Sequence, residues 1–194
     1  MRSIIINDPE SVYNYQKIES ELYNVKELKP NVALFPNQVF NKKFDHYFFL
    51  NENGWFNSED EFSELKTFIH KSKTKSMIAS APVFYLLNAI EITEETTHTE
   101  YIVNHTYSEF EHPEKKLGLR KSHESFYYDK DKKWAMFGDF THNVVIIGVL
   151  NEHKVALGES FKDKLLSIDN FLKFLEKSQN SIIDHRTTII ERYS

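Results

Sequence analysis

Three histidines, His98, His105 and His112, recur every seven residues, with His123 farther along the chain. On a helix a period of seven would align them on one face and offer three imidazoles to a zinc ion. The flanking Thr96, Thr97, Thr99, Ile102, Val103 and Thr106 favour a strand instead. There an odd spacing puts successive histidines on opposite faces, about 23 Å apart at roughly 3.3 Å per residue. Imidazoles so separated share no metal, and the sequence is read as having no metal site.

Asp139-Phe140-Thr141-His142 places an acid and a histidine in one turn. In a hydrolytic site such an aspartate orients the imidazole, and His142 acts as a general base. The same spacing is also ordinary turn chemistry, with Asp139 following Gly138 and accepting backbone N–H groups. No G-x-S-x-G motif accompanies the pair, and the chain has no cysteine to act as nucleophile. Asp184-His185-Arg186 and Asp45-His46 are neighbours of a kind that nine histidines and 29 carboxylates produce by chance. H-E-x-x-H, G-x-G-x-x-G, the P-loop and the EF-hand spacing are missing, and five glycines leave little material for a phosphate cradle. The sequence therefore assigns no catalytic residue and no cofactor. A hydrolase or metal-dependent enzyme using Asp139 and His142, or the His98, His105 and His112 set, stands as the alternative.

Two acidic runs offer a different chemistry. Glu52, Glu59, Asp60, Glu61 and Glu64 form the first, and Glu91, Glu94, Glu95 and Glu100 the second. Most such runs are solvated surface. If these two lie side by side, they form a negative face that attracts a basic protein and speeds its encounter, with Glu59, Asp60, Glu61, Glu94 and Glu95 as the candidate contacts.

The composition limits the setting. With 24 Lys+Arg against 29 Asp+Glu the net charge is −5, so no basic excess points to nucleic acid. Aromatics make up 14% of the chain, but the one dense basic patch, Lys115 to Lys121, has no aromatic interleaved to stack bases on; the aromatics are read as core filler or interface. The longest nearly apolar run, Val144 to Leu150, is far short of the 18 or so residues a membrane span requires. The N-terminal MRSIIINDPE turns polar too soon for a signal peptide, and a chain without cysteine suits a reducing compartment, so a cytoplasmic location is expected.

A length of 194 residues without a Gly/Ser-rich or Pro-rich linker fits a single domain over 1–194. Asp8-Pro9-Glu10 starts a helix running towards Leu28, with Tyr15, Ile18, Leu22 and Val25 on its buried stripe. Phe44 to Leu50 is a strand. Ser58-Glu59-Asp60-Glu61 is a capping box opening a helix that buries Phe62, Leu65, Phe68 and Ile69. Residues 75–91 suit either two strands broken at Pro82 or a helix beginning after Ser80, with extended structure preferred, and Thr99 to Phe110 is read as a strand. His112 to His123 is expected to be an exposed loop. Ser125 to Tyr128, Trp134 to Phe137 and Asn143 to Leu150 form an antiparallel meander, the last strand apolar on both faces and hence central. Glu159 to Lys177 is a helix, and Ser181 to Arg192 adds a last strand. Strands and helices without regular alternation argue an α+β fold with a mainly antiparallel or mixed sheet packed by helices. Its expected core includes Phe62, Leu65, Phe68, Trp134, Val145, Ile147, Leu165, Ile168 and Leu172.

The meander SFYYDKDKKWAMFGDFTHNVVIIGVLN, 27 residues of the 194, resembles the C-terminal sheet of small bacterial immunity proteins encoded beside polymorphic or contact-dependent toxins. The resemblance implies a non-enzymatic protein that binds a toxin domain tightly and carries no catalytic residues. The function expected from the sequence is a cytoplasmic binding protein, an immunity-type inhibitor whose partner is a basic toxin domain, binding neither nucleic acid nor membrane.

Overall fold

The computed structural model describes residues 5–6, 8–25, 34–51, 56–80, 89–106, 124–139, 141–178 and 181–194. Eight strands form one antiparallel sheet: β1 (Ile5–Ile6), β2 (His46–Leu50), β3 (Met77–Ser80), β4 (Ala89–Ile92), β5 (Glu124–Asp129), β6 (Trp134–Asp139), β7 (Val144–Val149) and β8 (Leu165–Leu166). Their order is β1-β4-β3-β5-β6-β7-β2-β8, so two-residue strands form both edges. The meander is present, with Tyr127 opposite Met136 and Met136 opposite Ile147. It runs longer than its sequence suggests, because Gly138 and Asp139 belong to β6 rather than to a turn.

Alternate residues of each strand enter two separate cores. Ile78, Phe126, Tyr128, Phe137, Val144 and Ile146 face one, together with helices α1 (Pro9–Leu22), α5 (Ile168–Ser178) and α6 (Arg186–Tyr193). Met77, Tyr127, Trp134, Met136, Val145, Ile147 and Val149 face the other, with α2 (Glu59–Lys71), α3 (His98–Thr106) and α4 (Lys154–Phe161). The sheet is therefore the middle of three layers in an α+β fold, which explains why VVIIGV is apolar throughout. Each large side chain fully buried in these layers adds roughly 1.5–3 kcal/mol of transfer free energy. Phe44 lies over β7 where Gly148 has no side chain; a Cβ there would fall 2.2 Å from a Phe44 ring carbon.

Helix starts follow their caps. Asp8 accepts the Ser11 N–H at 2.9 Å with Pro9 in the first turn, and Ser58 and Glu61 form the reciprocal capping box of α2. Helix α1 stops at Leu22 rather than near Leu28, because Tyr23 turns extended and bridges to Phe40.

Three expectations are corrected. Residues 99–106 are helical, not extended, because Thr97 and Glu100 form a second capping box: Glu100 donates its N–H to Thr97 Oγ1 at 3.1 Å, and Thr97 donates its N–H to Glu100 at 2.8 Å. The single helix from Glu159 is instead α4, a 3₁₀ turn, β8 and α5, broken where Lys162 adopts a left-handed φ of 45°. Leu165 and Ile168, flanking that break, are accordingly half-buried, while the other expected core residues are buried. The tail is a 3₁₀ turn and α6, docking Ile189 and Tyr193 into the core, and adds no strand. Extended structure is found at 77–80 and 89–92, while Pro82 and the 112–123 stretch, including Lys115 to Lys121, lie outside the described residues.

Candidate functional site

The capping box that starts α2 and the Thr93–Thr96 turn after β4 bring parts of both acidic runs together. Glu59 and Glu94 line one cavity of about 410 Å³, along with Phe62, Lys66, His70 and His98. Phe62 supplies its apolar wall, stacked on Tyr101 with ring centroids 4.8 Å apart. His70 Nδ1 lies 3.0 Å from Glu94 Oε1, joining helix to turn. Lys66 donates to the Thr96 carbonyl at 2.9 Å, so the one lysine that lines the groove among the described residues is anchored to a neutral group. An aromatic wall with carboxylates at its edges suits a basic, partly apolar protein segment.

The other three candidates differ in their placement. Asp60 is exposed on the first turn of α2. The Glu61 carboxylate accepts the Ser58 N–H at 3.2 Å, so it serves the cap. Glu95 is exposed on the turn beside Glu94. None of the three lines the cavity.

The histidine series does not assemble a metal site among the described residues. His98 and His105 share α3, and His112 lies outside the described residues. His98 Nε2 donates to the Asn57 carbonyl at 2.8 Å, which fixes its proton on that nitrogen.

Asp139 and His142 do meet. The buried Asp139 accepts the His142 backbone N–H at 3.1 Å through Oδ1, and its Oδ2 lies 2.6 Å from His142 Nδ1. Turn chemistry and imidazole orientation thus coexist in one aspartate. His142 Nε2 has no partner among the described residues, and the side chain is 24% exposed. A third group, which the sequence reading missed, stands opposite: Glu124 is the cross-strand partner of Asp139. It accepts the Leu34 N–H at 3.1 Å, and burial, reinforced by the nearby Asp139 charge, pushes its carboxyl up to about 7. Neither Asp139 nor His142 lines the cavity beside α2.

A second missed group is Glu19, 0% exposed inside the α1 core. Tyr128 donates to its Oε1 at 3.0 Å and Ser80 donates to the same oxygen, while Oε2 has no hydrogen-bond partner among the described residues. Burial pushes this carboxyl up to about 7, against the two hydroxyl donors. Its spacing was a usable signal, since Glu19 follows Tyr15 by four and precedes Leu22 by three, on the apolar stripe itself.

Comparison with family models, curated proteins and solved structures finds no match to this chain.

Proposed function

We propose that the protein is a non-enzymatic binding protein that captures a basic segment of a protein partner along the groove between α2 and α3, as an immunity-type inhibitor captures a toxin domain. The observation supporting this reading is that carboxylates from both acidic runs, Glu59 and Glu94, edge one groove walled by Phe62. A buried aromatic centre with a charged rim is the usual anatomy of a tight interface, and the rim charges accelerate encounter with a cationic partner. Co-expression with the effector encoded beside it is the test. Protection of the cells and a complex that survives gel filtration are expected, with both weakened by Glu59→Lys/Glu94→Lys. Equal killing with and without this protein, and no complex, would overturn the reading.

A second reading is an acid–base centre at Asp139, His142 and Glu124, favoured by the 2.6 Å Asp139–His142 contact and by a neighbouring carboxyl that titrates near 7. There Asp139 orients the ring, His142 Nε2 is the general base and Glu124 the general acid. Turnover of chromogenic ester or phosphoester substrates that His142→Asn abolishes would promote it. Turnover unchanged in that variant, or none at all, would remove it.

A further inference from the structure

We propose that the cavity between the α2–β3 turn and the β5–β6 hairpin binds a phosphate group. The antiparallel pairing of Met77 with Asp129 sets these two turns side by side, and the 3₁₀ turn Asn151–His153 after β7 adds His153 to the lining. The resulting cavity is about 390 Å³ and shares no lining residue with the α2–α3 groove, so the inference is independent of the proposed partner site.

Its charge is arranged for an anion. Among the described residues four lysines line it against three carboxylates, and most of the acid is engaged within the protein. Glu91 takes the Lys130 ammonium at 2.6 Å and the Ser76 hydroxyl at 2.5 Å. Asp129 lies under the hairpin, accepting the Lys133 N–H at 3.4 Å, while Lys133 itself reaches Glu152, 3.4 Å away. Asp131 is exposed at the hairpin tip. Lys73 and Lys75, by contrast, have no carboxylate or other acceptor for their ammonium groups among the described residues.

The second observation is His153. Its side chain is 8% exposed, yet Nε2 makes no hydrogen bond among the described residues; Glu152 Oε1 lies 3.3 Å away but outside hydrogen-bond geometry. A buried imidazole nitrogen that lines a cavity without a hydrogen-bond partner is unfavourable until something supplies one. Thr74 is already engaged: its Oγ1 accepts from the Trp134 indole at 3.2 Å and lies 2.9 Å from Ser72 Oγ, whose single proton goes to the Ile69 carbonyl at 3.1 Å. Two ammonium groups, joined by the His153 imidazole when it carries a proton on Nε2, form a set of donors that a phosphate, with several charged oxygens, satisfies better than a single carboxylate does. A metal cation is the poorer occupant, because lysines dominate the lining and no metal-binding group occurs among the described residues. The volume exceeds that of orthophosphate and leaves room for an organic ester.

The test is an NMR titration of ¹⁵N-labelled protein with sodium phosphate and, separately, with adenosine monophosphate, at constant ionic strength set with sodium chloride. Saturable shifts are expected in residues 72–76, 130–133 and 153, including the His153 ring nitrogens. Both lysines are exposed, so Lys73→Gln/Lys75→Gln keeps the fold and should weaken binding about tenfold, whereas a control pair on α5, Lys173→Gln/Lys177→Gln, should leave it unchanged. Tighter binding of the nucleotide than of phosphate identifies an ester as the source of the group, and equal binding identifies the free anion. Shifts that never saturate, or that are the same in the Lys73/Lys75 variant, would overturn the proposal.

Discussion

On the face covered by α1, α5 and α6 a carboxylate, Glu19, sits inside the core with two hydroxyl donors and no cation among the described residues, whereas the face covered by α2, α3 and α4 holds Glu59 and Glu94 at the edge of a groove. The same functional group has opposite consequences in the two settings. Buried without a counter-charge, it makes folding depend on pH; at a solvated rim it leaves folding nearly untouched and acts on association, where salt screens it. Both faces are otherwise built alike, from large aromatics in close ring contact: Phe171 stacked on Phe49 at 4.2 Å on one, and Phe68 edge-on to Trp134 at 4.9 Å on the other.

The largest expected effect tests that likeness. Phe171→Ala and Phe68→Ala should each cost about 3–5 kcal/mol in urea unfolding, because each removes a fully enclosed ring. A marked inequality would mean that one layer is the more loosely packed.

Next in size is the pH response of Glu19. Its carboxyl titrates at about 7 in the folded chain against an ordinary 4.5, so protonation favours the fold. The stabilising contribution is full below 4.5 and is lost as the pH rises to about 7, amounting to roughly 3 kcal/mol. Glu124, also pushed up to about 7, adds to the loss in the same window. Glu19→Gln should therefore flatten the stability curve between about pH 5 and pH 8 and make the variant the more stable protein at the alkaline end. A wild-type curve that rises across that window would contradict the buried placement of Glu19.

Smaller still are the caps on the groove side. Ser58→Ala and Thr97→Ala each remove a side-chain acceptor at a helix start and should lower stability by about 1 kcal/mol in thermal or urea melts. The smallest change in stability belongs to Glu59→Lys/Glu94→Lys, within about 0.5 kcal/mol, since both positions are surface ones. Its effect should appear in stopped-flow association with the partner, slowed about tenfold at low salt and converging with the wild type as salt is raised.

How far the sequence discloses this depends on whether the deciding force is local. The start of α2 was legible because Ser58 and Glu61 act within one turn, and the meander because alternation and turn chemistry are short-range. The α3 segment reads as a strand on its β-branched and aromatic residues alone, and the Thr97–Glu100 box goes unrecognised; propensity yields to capping and to the burial of Tyr101. The break at Lys162 left no mark, since a lysine at positive φ has no sequence signature. At the candidate sites, Asp139 and His142 were found because they are three residues apart. The pairing of Glu124 with Asp139 and of Glu19 with Ser80 and Tyr128 was invisible because sheet register and helix docking create it. The meeting of Glu59 with Glu94 was stated only as a condition, for the same reason.

Among the described residues the sheet ends on each side in a strand of two residues, Ile5–Ile6 and Leu165–Leu166. An exposed ladder of full length would serve as a template on which another copy could lay down a ninth strand, and then a tenth, as fibrils grow. Borders this brief present too few backbone donors and acceptors to seed such growth, and β8 is held between a left-handed turn and α5. Such short edges shield a middle layer rich in β-branched and aromatic residues from strand-by-strand addition.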